Sequence, residues 1–346
     1  MRDLGINDSL LRVIHNFLSD RYALVYINSS FSSLKHIPVG CAQGSVLGPV
    51  LFNIYTSQLS KNVNPDFMVS YADDTYIAVS YPKKDIFSGL WKINLICEDH
   101  INWLESIGMV YNPQKTEFII FGRNLKLPQH PQLRVKSSFI EPRDQILVLG
   151  IKFSSNLSCK DQVLDNIKSA NAQLYALRYL NNKLNRKQFK QVVHAHYLSR
   201  VMYAPPLWAR NVEKSLTRKI SSCIYRVMRL YCKDFNGSLH REDLVKYSGI
   251  RNFVSQRIVA ETCLLQRLVF NKNGGYLTDR LNQQCYTNSR HKGFMSFKCF
   301  ARHRPGSISF LHHAKFISEL IRFPWVEIYP KHFKIKIKSM IPFMVK

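Results

Sequence analysis

Acidic residues are scarce in this chain. Its 346 residues include 23 Asp and Glu against 49 Lys and Arg, a formal net charge of +26. Long apolar runs are absent as well. None approaches the roughly 18 residues of a membrane span, which excludes an ordinary membrane-crossing helix. The first twenty residues contain Asp3, Asp8 and Asp20 and lack the layout of a secretory leader. The expectation is therefore a protein that works inside the cell, or one whose true N-terminus lies elsewhere. No C-x-x-C pair occurs among the eight cysteines, and most of these lie in apolar helical contexts. Buried free thiols in a reducing compartment follow. There is no internal repeat and no low-complexity tract. With 46% apolar and 12% aromatic residues, the chain can build one large domain or two ordinary ones, which excludes disorder.

The positive charge is unevenly spread. Residues 1–160 hold 16 basic and 13 acidic residues, residues 161–250 hold 16 and 6, and residues 251–346 hold 17 and 4. Carboxylates gather in the first half while basic charge rises along the chain. A basic surface beside an acidic pocket suits a polyanion held at a metal site.

Apolar periodicity predicts a helix over 8–19, capped by Asp8 or Ser9, with Leu10, Leu11, Ile14, Phe17 and Leu18 on one face. YALVYIN at 22–28 alternates like a strand, turns at Asn28-Ser29-Ser30, and pairs with a strand around 33–39. A glycine-rich segment at 40–48 precedes a helix opened by Pro49 and running to about Leu59. A long helix over 85–107 carries Ile86, Leu90, Ile93, Cys97, Ile101 and Leu104, and Gly108 stops it. Two short strands, MVYN and TEFIIFG, are expected around Asn112-Pro113. A further strand pair includes ILVLGIKF at 146–153. After residue 160 the pattern is all-helical. Val163, Ile167, Ala170, Leu174, Leu177 and Leu184 keep one period, and helices follow at about 187–203, 214–232, 240–248 and 252–270. The expected fold class is α+β, antiparallel strands with helices followed by an all-α part. The expected divisions are 1–125, a strand pair at 126–160, a basic helical segment at 161–250 and a basic C-terminal region at 251–346.

In SYADDTYIAVS, residues 70–80, an apolar run is broken by Asp73 and Asp74. A hairpin turn alone favours Asp. Two features weigh against a plain turn: the preferred glycine is missing, and the flanks are unusually apolar. A divalent cation would remove the repulsion between the carboxylates, and magnesium takes one or two carboxylates plus substrate phosphates. On the tetrapeptide alone both readings stay open.

YADD, preceded by AQGSVLGPVLFNIY at 42–55 and followed by NPQKTEFIIFG at 112–122, resembles the reverse transcriptases of non-LTR retrotransposons, most closely the jockey-like group. The likeness spans about residues 1–270. It implies a partial right-hand polymerase palm, then a primer-grip-like strand pair and a basic thumb. It implies that Asp73 bridges two Mg2+ ions and that Asp74 assists, with Tyr71 beside them in the substrate site. Gln43, Gly44 and Ser45 match the loop that borders the template base and incoming nucleotide, with Ala42 where the family usually has proline. Lys115 matches a lysine that could neutralise or protonate the leaving pyrophosphate; as a surface lysine on a strand edge it has a bland alternative. Leu149 and Gly150 resemble the primer grip, or form an ordinary core strand with a bulge. Arg218, Lys219, Arg226, Arg229 and Lys233 recur on one helix opposite Leu216, Ile220, Cys223, Val227 and Leu230, which suits phosphate contacts or a solvated face. The implied partners are an RNA template, a DNA primer and deoxynucleoside triphosphates, with no membrane, and the implied place of work is the nucleus during integration.

The family's other metal-binding aspartate, in a phrase like Ala-Phe-Asp-x-Val, precedes the segment LGI at 4–6 and is not in this sequence. The fingers segments and an endonuclease domain are likewise not in it. The expectation is the C-terminal part of a reverse transcriptase, from a truncated element copy or incomplete gene, weakly active or inactive alone. The alternative is a non-catalytic nucleic-acid-binding remnant. A purely structural protein leaves the Asp pair and the charge gradient unexplained. Cys285, His291, Cys299 and His303 could suggest zinc, but their spacing lacks the close first pair of knuckles and fingers.

Overall fold

The computed structural model describes residues 1, 4–59, 65–82, 85–122, 131–209, 212–270, 285–287 and 295–297. The chain forms two compact units, Met1–Ile120 with Asn124–Arg143, and Phe121–Arg123 with Asp144–Lys346. The division after Arg143 falls inside the 126–160 segment and separates its two strand pairs. The class is α+β, with small antiparallel hairpins first and helices after them.

In the first unit, helix α1 spans Asp8–Leu18. Its cap is Asn7, not Asp8 or Ser9: Asn7 Oδ1 accepts the Leu10 N–H at 2.8 Å. Asp8 is already helical, and there it complements the helix dipole. Of the expected apolar face, Ile14 is buried. YALVYIN is not one strand. Tyr22–Ala23 (β1) pairs with Lys35–His36 (β4), while Tyr26–Ile27 (β2) pairs with Ser30–Phe31 (β3). Between them Val25 N–H bonds to Ser32 Oγ at 2.9 Å instead of to a ladder carbonyl, which divides the hairpin. Asn28 and Ser29 both have positive φ, +50° and +64°, as a type I′ turn requires. Helix α2, Leu47–Tyr55, begins before Pro49. Proline is tolerated there because the first helical N–H groups have no intrahelical partner.

Strands β5 (Phe67–Tyr71) and β6 (Asp74–Ala78) form the central hairpin of this unit. Helix α3, Ile86–Ser106, packs behind it. Asp85 caps α3 through the Ser88 N–H at 3.0 Å. The helix ends in a Schellman motif, with Met109 N–H on Leu104 O, Gly108 N–H on Glu105 O, and Gly108 at φ +75°. Hairpin β7–β8 (Leu133–Val135 and Ser138–Ile140) lies on the same helix. Leu133 and Val135 cluster with Ile93 and Ile101, while Ile77 and Val79 pack against them. Leu59 and Ile96 form a second small cluster with Met68 and Ile77. MVYN and TEFIIFG do not form strands. Asn112 Oδ1 accepts the Gln114 N–H at 3.0 Å and folds Pro113–Lys115 into a 3-10 turn. Such a local side-chain bond competes with strand pairing, and Phe118 makes an isolated parallel bridge to Pro142.

The second unit opens with hairpin β9–β10, Gln145–Val148 and Ile151–Ser154. The helical period of 163–184 is broken at Ala172-Gln173 into α4, Lys160–Asn171, and α5, Leu174–Asn181. Helix α6, Arg186–Val192, starts with an Asn185–Gln188 capping box and runs into a π-helical stretch, Val193–Leu198. Helix α7 is Lys214–Cys232, α8 is Arg241–Ser248 and α9 is Phe253–Phe270. One large core joins them: Phe189, Val193, Tyr197, Trp208, Ile224 and Met228 are essentially sealed from solvent. Two short strands, β11 (Cys285–Thr287) and β12 (Met295–Phe297), pair antiparallel.

Gly89 sits where α3 meets Tyr81. A Cβ there would come within 2.7–2.9 Å of Tyr81 carbons. Gly89→Ala is expected to cost about 1–3 kcal/mol through overpacking, read as a lower urea midpoint.

Candidate active site and basic helix face

The register of β5–β6 places Tyr71 opposite Asp74. Ala72 and Asp73 are therefore the two turn residues. Ala72 has φ +52°, the sign a II′ turn needs at its first central position and normally gives to glycine. This is where the missing glycine would have stood. An alanine there costs about 1–3 kcal/mol, so neighbouring contacts must impose the conformation. At the tip, Tyr76 Oη donates to Asp74 Oδ2 at 3.2 Å, and Ser70 Oγ lies 3.2 Å from Thr75 Oγ1. At the base, Asp66 accepts from Ser80 N at 2.6 Å and Ser80 Oγ at 2.7 Å. It also pairs with Lys92 of α3. One carboxylate thus ties both open ends of the hairpin to the helix behind it. Asp73 and Asp74 are both exposed.

Gly44 has φ +82° and is followed by Ser45, whose Oγ accepts the Gly48 N–H at 3.1 Å. Ser45 thereby links the Gln43-Gly44-Ser45 loop to the start of α2. A Cβ on Gly48 would meet Ser45 Oγ at 3.0 Å and Cys41 Sγ at 3.3 Å, so a small residue is needed there. Lys115 closes the 3-10 turn with its side chain exposed. Among the described residues, no hydrogen bond joins Gln43, Gly44, Ser45 or Lys115 to Asp73 or Asp74.

Two adjacent exposed carboxylates suit a hard cation that keeps waters and substrate phosphates as its other ligands. Among the described residues, no group of three or more His, Cys, Asp or Glu gathers around a possible metal position. The donor set therefore fits Mg2+ in kind and is small in number. Of the four residues considered for zinc, only the backbone of Cys285 lies within the described residues. Burial raises the thiols of Cys159, Cys223 and Cys232 and pushes Cys97 up to about 11, so these are packing groups rather than nucleophiles.

In the second unit Leu149 and Gly150 form the β9–β10 turn, with φ +47° and +78°. They are a tight turn and not a bulged core strand. Tyr203 holds it: its Oη donates to Leu149 O at 2.7 Å, while its own carbonyl accepts Trp208 Nε1 at 2.6 Å. On α7, Arg218, Lys219 and Arg226 are exposed, opposite buried Leu216, Ile220, Cys223, Val227 and Leu230. Lys219 and Arg226 stand seven residues apart, roughly 10 Å at the helical rise, whereas exposed Lys233 is not part of the helix but its C-cap, in the left-handed conformation at φ +58°. Arg226 also donates to Asn171 Oδ1 at 3.0 Å. Arg229 differs from the others: it pairs with Asp234, whose side chain is 3% exposed, and donates to Leu239 O. Burial alone would raise the Asp234 carboxyl. Hydrogen bonds from Ser238 and Leu239, together with the Arg229 charge, outweigh it and hold the carboxyl below its ordinary value. Asp66, Ser80, Lys92 and Tyr203 escape sequence analysis. Each is an ordinary polar residue with at least one partner distant in sequence.

Residues 2–153 match the family described as "Reverse transcriptase (RNA-dependent DNA polymerase)". This part of the chain is therefore similar to reverse transcriptase domains, and the curated proteins that resemble it are those of non-LTR retrotransposons. Among curated proteins, the chain is 23% identical over 219 residues to the probable RNA-directed DNA polymerase from transposon BS of Drosophila melanogaster, covering 60% of this chain and 24% of that protein. It is 26% identical over 168 residues to the RNA-directed DNA polymerase from mobile element jockey of the same fly, covering 46% and 18%. It is 23% identical over 308 residues to the Pol polyprotein from type-1 retrotransposable element R2 of Popillia japonica, covering 81% and 46%. The chain thus spans less than half the length of each of these relatives. No solved structure matches it significantly. Among the described residues, no helix is long and apolar enough to cross a membrane.

Two outcomes follow from the clamps. The Lys92 bond, then those from Ser80, hold the Asp66 carboxyl well below the carboxylate range. Its stabilisation is full above the ordinary value of about 4 and fades as pH falls toward the folded value. The gap in melting temperature between the natural protein and Asp66→Asn should therefore narrow as pH drops from 5 to 2, measured by circular dichroism. Tyr203→Phe removes the bond to Leu149 and should cost about 1 kcal/mol in denaturant unfolding, with faster amide exchange in the β9–β10 turn.

Proposed function

We propose that this chain is the palm and thumb portion of an RNA-directed DNA polymerase of a non-LTR retrotransposon. The observation that carries the proposal is the strained turn that puts Asp73 at the tip of a clamped hairpin with Asp74 beside it. Asp73 and Asp74 would hold Mg2+. Bound there, the metal would supply activation of the primer 3′-hydroxyl and charge stabilisation of the departing pyrophosphate. Gln43, Gly44, Ser45 and Tyr71 would border the template base and incoming deoxynucleoside triphosphate. Gly44 lets backbone approach closely and Ser45 fixes the loop on α2. Lys115 would neutralise the leaving group. Leu149 and Gly150 would present backbone to the DNA primer, held in place by Tyr203. Arg218, Lys219, Arg226 and Lys233 would bind phosphates of the RNA–DNA duplex without reading sequence. Arg229, engaged by Asp234, would act mainly by shaping that helix end. Such an enzyme would work in the nucleus during integration.

A second reading has its own support. Only two carboxylates meet at the hairpin tip among the described residues, whereas two-metal transfer works as one unit and fails when a ligand is missing. The 346 residues taken alone would then bind nucleic acid and extend a primer weakly or not at all. Primer extension on an RNA template with Mg2+ separates the two. Robust synthesis reduced at least about 100-fold by Asp73→Ala supports the enzyme. Salt-sensitive binding without synthesis, unchanged in Asp73→Ala, supports the binding remnant.

A further inference from the structure

In the second unit, helix α5 is anchored firmly on one side. Leu177 is buried in the large core, and the buried Asn181 amide donates to Leu230 O of α7 at 2.9 Å. The opposite side faces solvent. Tyr175, Arg178, Tyr179 and the C-cap Asn182 follow the i, i+3, i+4, i+7 spacing of one helix face, and all four are exposed. Tyr175 is 85% exposed and Tyr179 64%. Lys183 brings its Nζ to 5.9 Å from the centre of the Tyr179 ring, a cation–π contact. The surrounding sequence is free of acid: between Asp165 and Glu213 there are eight Lys and Arg, two His and no Asp or Glu. The two acidic residues that bound this stretch are engaged, Asp165 by Lys152 and Glu213 by Ser215.

One exposed aromatic on a helix is ordinary. Two tyrosines a turn apart, interleaved with cations on a face without acid, combine the two chemistries that an unpaired nucleic-acid strand requires. Its bases stack on aromatic rings and its phosphates meet Lys and Arg. A duplex keeps its bases stacked on one another and presents mainly phosphates, which a face of this kind does not need tyrosines to hold. We infer that the Tyr175–Tyr179 face of α5 is a stacking site for an unpaired nucleic-acid strand. Tyr175 and Tyr179, about 6 Å apart along the helix axis, each take one base. Arg178 and Lys183 meet the phosphates between and beside them. The Asn182 amide, both donor and acceptor, can reach a base edge. Because Leu177 and Asn181 already fix the helix, little ordering cost falls on binding. The inference rests on the nucleic-acid reading above and adds to it a base-contacting site distinct from the phosphate contacts of α7.

The test uses the full chain and follows two probes by anisotropy over a salt series, a single-stranded oligouridine and a blunt RNA duplex. The variants are Tyr175→Leu, Tyr179→Leu, the double Tyr175→Phe/Tyr179→Phe and the double Arg178→Gln/Lys183→Gln. All four positions are exposed, so the melting temperature should stay that of the natural protein. Each Tyr→Leu change should weaken oligouridine binding about fivefold or more, with the salt slope unchanged because no charge is lost. The double Phe variant keeps both rings and should bind as the natural protein does. The Arg178→Gln/Lys183→Gln variant should instead lower the salt slope by about 1.4, or about 0.7 for each phosphate contact. Duplex affinity should be the same in the natural protein and all the tyrosine variants. Natural oligouridine affinity in both Leu variants overturns the site, as does an equal loss on the duplex or an equal loss in the double Phe variant. If Lys219→Gln/Arg226→Gln weakens duplex binding while the Leu variants change nothing, the site falls and the nucleic-acid reading stands. If the natural protein binds neither probe, both fall.

Discussion

One register, Tyr71 opposite Asp74, governs what the first unit can do. It fixes a two-residue turn, so Asp73 occupies the tip and Asp74 heads the return strand. It also sends Met68, Ile77 and Val79 toward α3 and leaves Phe67, Val69 and Tyr71 outward. A slip of one residue would exchange the faces and move both carboxylates. The register is imposed from two sides. Apolar contacts select the inner face, and Asp66 locks the open ends through Ser80 and Lys92. The strained φ of Ala72 is tolerable because these contacts leave the turn no relaxed alternative.

Much of this was legible in the sequence, for identifiable reasons. The Asp pair in an apolar alternation announced a hairpin, and the helical period after residue 160 announced the helical part, although the second unit begins earlier, at Asp144, with the β9–β10 hairpin. Gly108 and Asn28 were readable because positive-φ positions restrict residue choice. Helix α7 was readable because Leu216, Ile220, Cys223, Val227 and Leu230 keep one face over about four turns. Local polar chemistry was harder to read. MVYN and TEFIIFG have strand composition, yet the Asn112 carboxamide captures the next turn. The split of YALVYIN depends on one serine hydroxyl. Neither outcome leaves a periodic signal.

The candidate site was legible by kind of residue and less so by environment. Arg229 and Arg226 look alike in sequence. Only the fold gives one a buried carboxylate and leaves the other on the surface. Tyr203 is silent in sequence because its partners Leu149, Asn166 and Trp208 lie on either side of it at very different separations. What distinguishes a residue that carries a charge to a ligand from one that holds a helix end is therefore the partner it already has.

The two units also differ in the depth of their cores. Among the described residues of the first, the buried apolar side chains gather in small clusters, Ile93, Ile101, Leu133 and Val135 in one and Leu59 and Ile96 in another. In the second, about twenty buried side chains are continuous from Val163 to Phe253. Local opening follows buried apolar contact density. The amides of the hairpins before residue 60 should be the first to exchange with solvent, and the peptide bonds there the first to be cut by a protease. The helical unit would outlast them. A cell that degraded such a chain from its looser end would be left with a basic, folded fragment that still carries the α5 and α7 charges and has lost the aspartate turn.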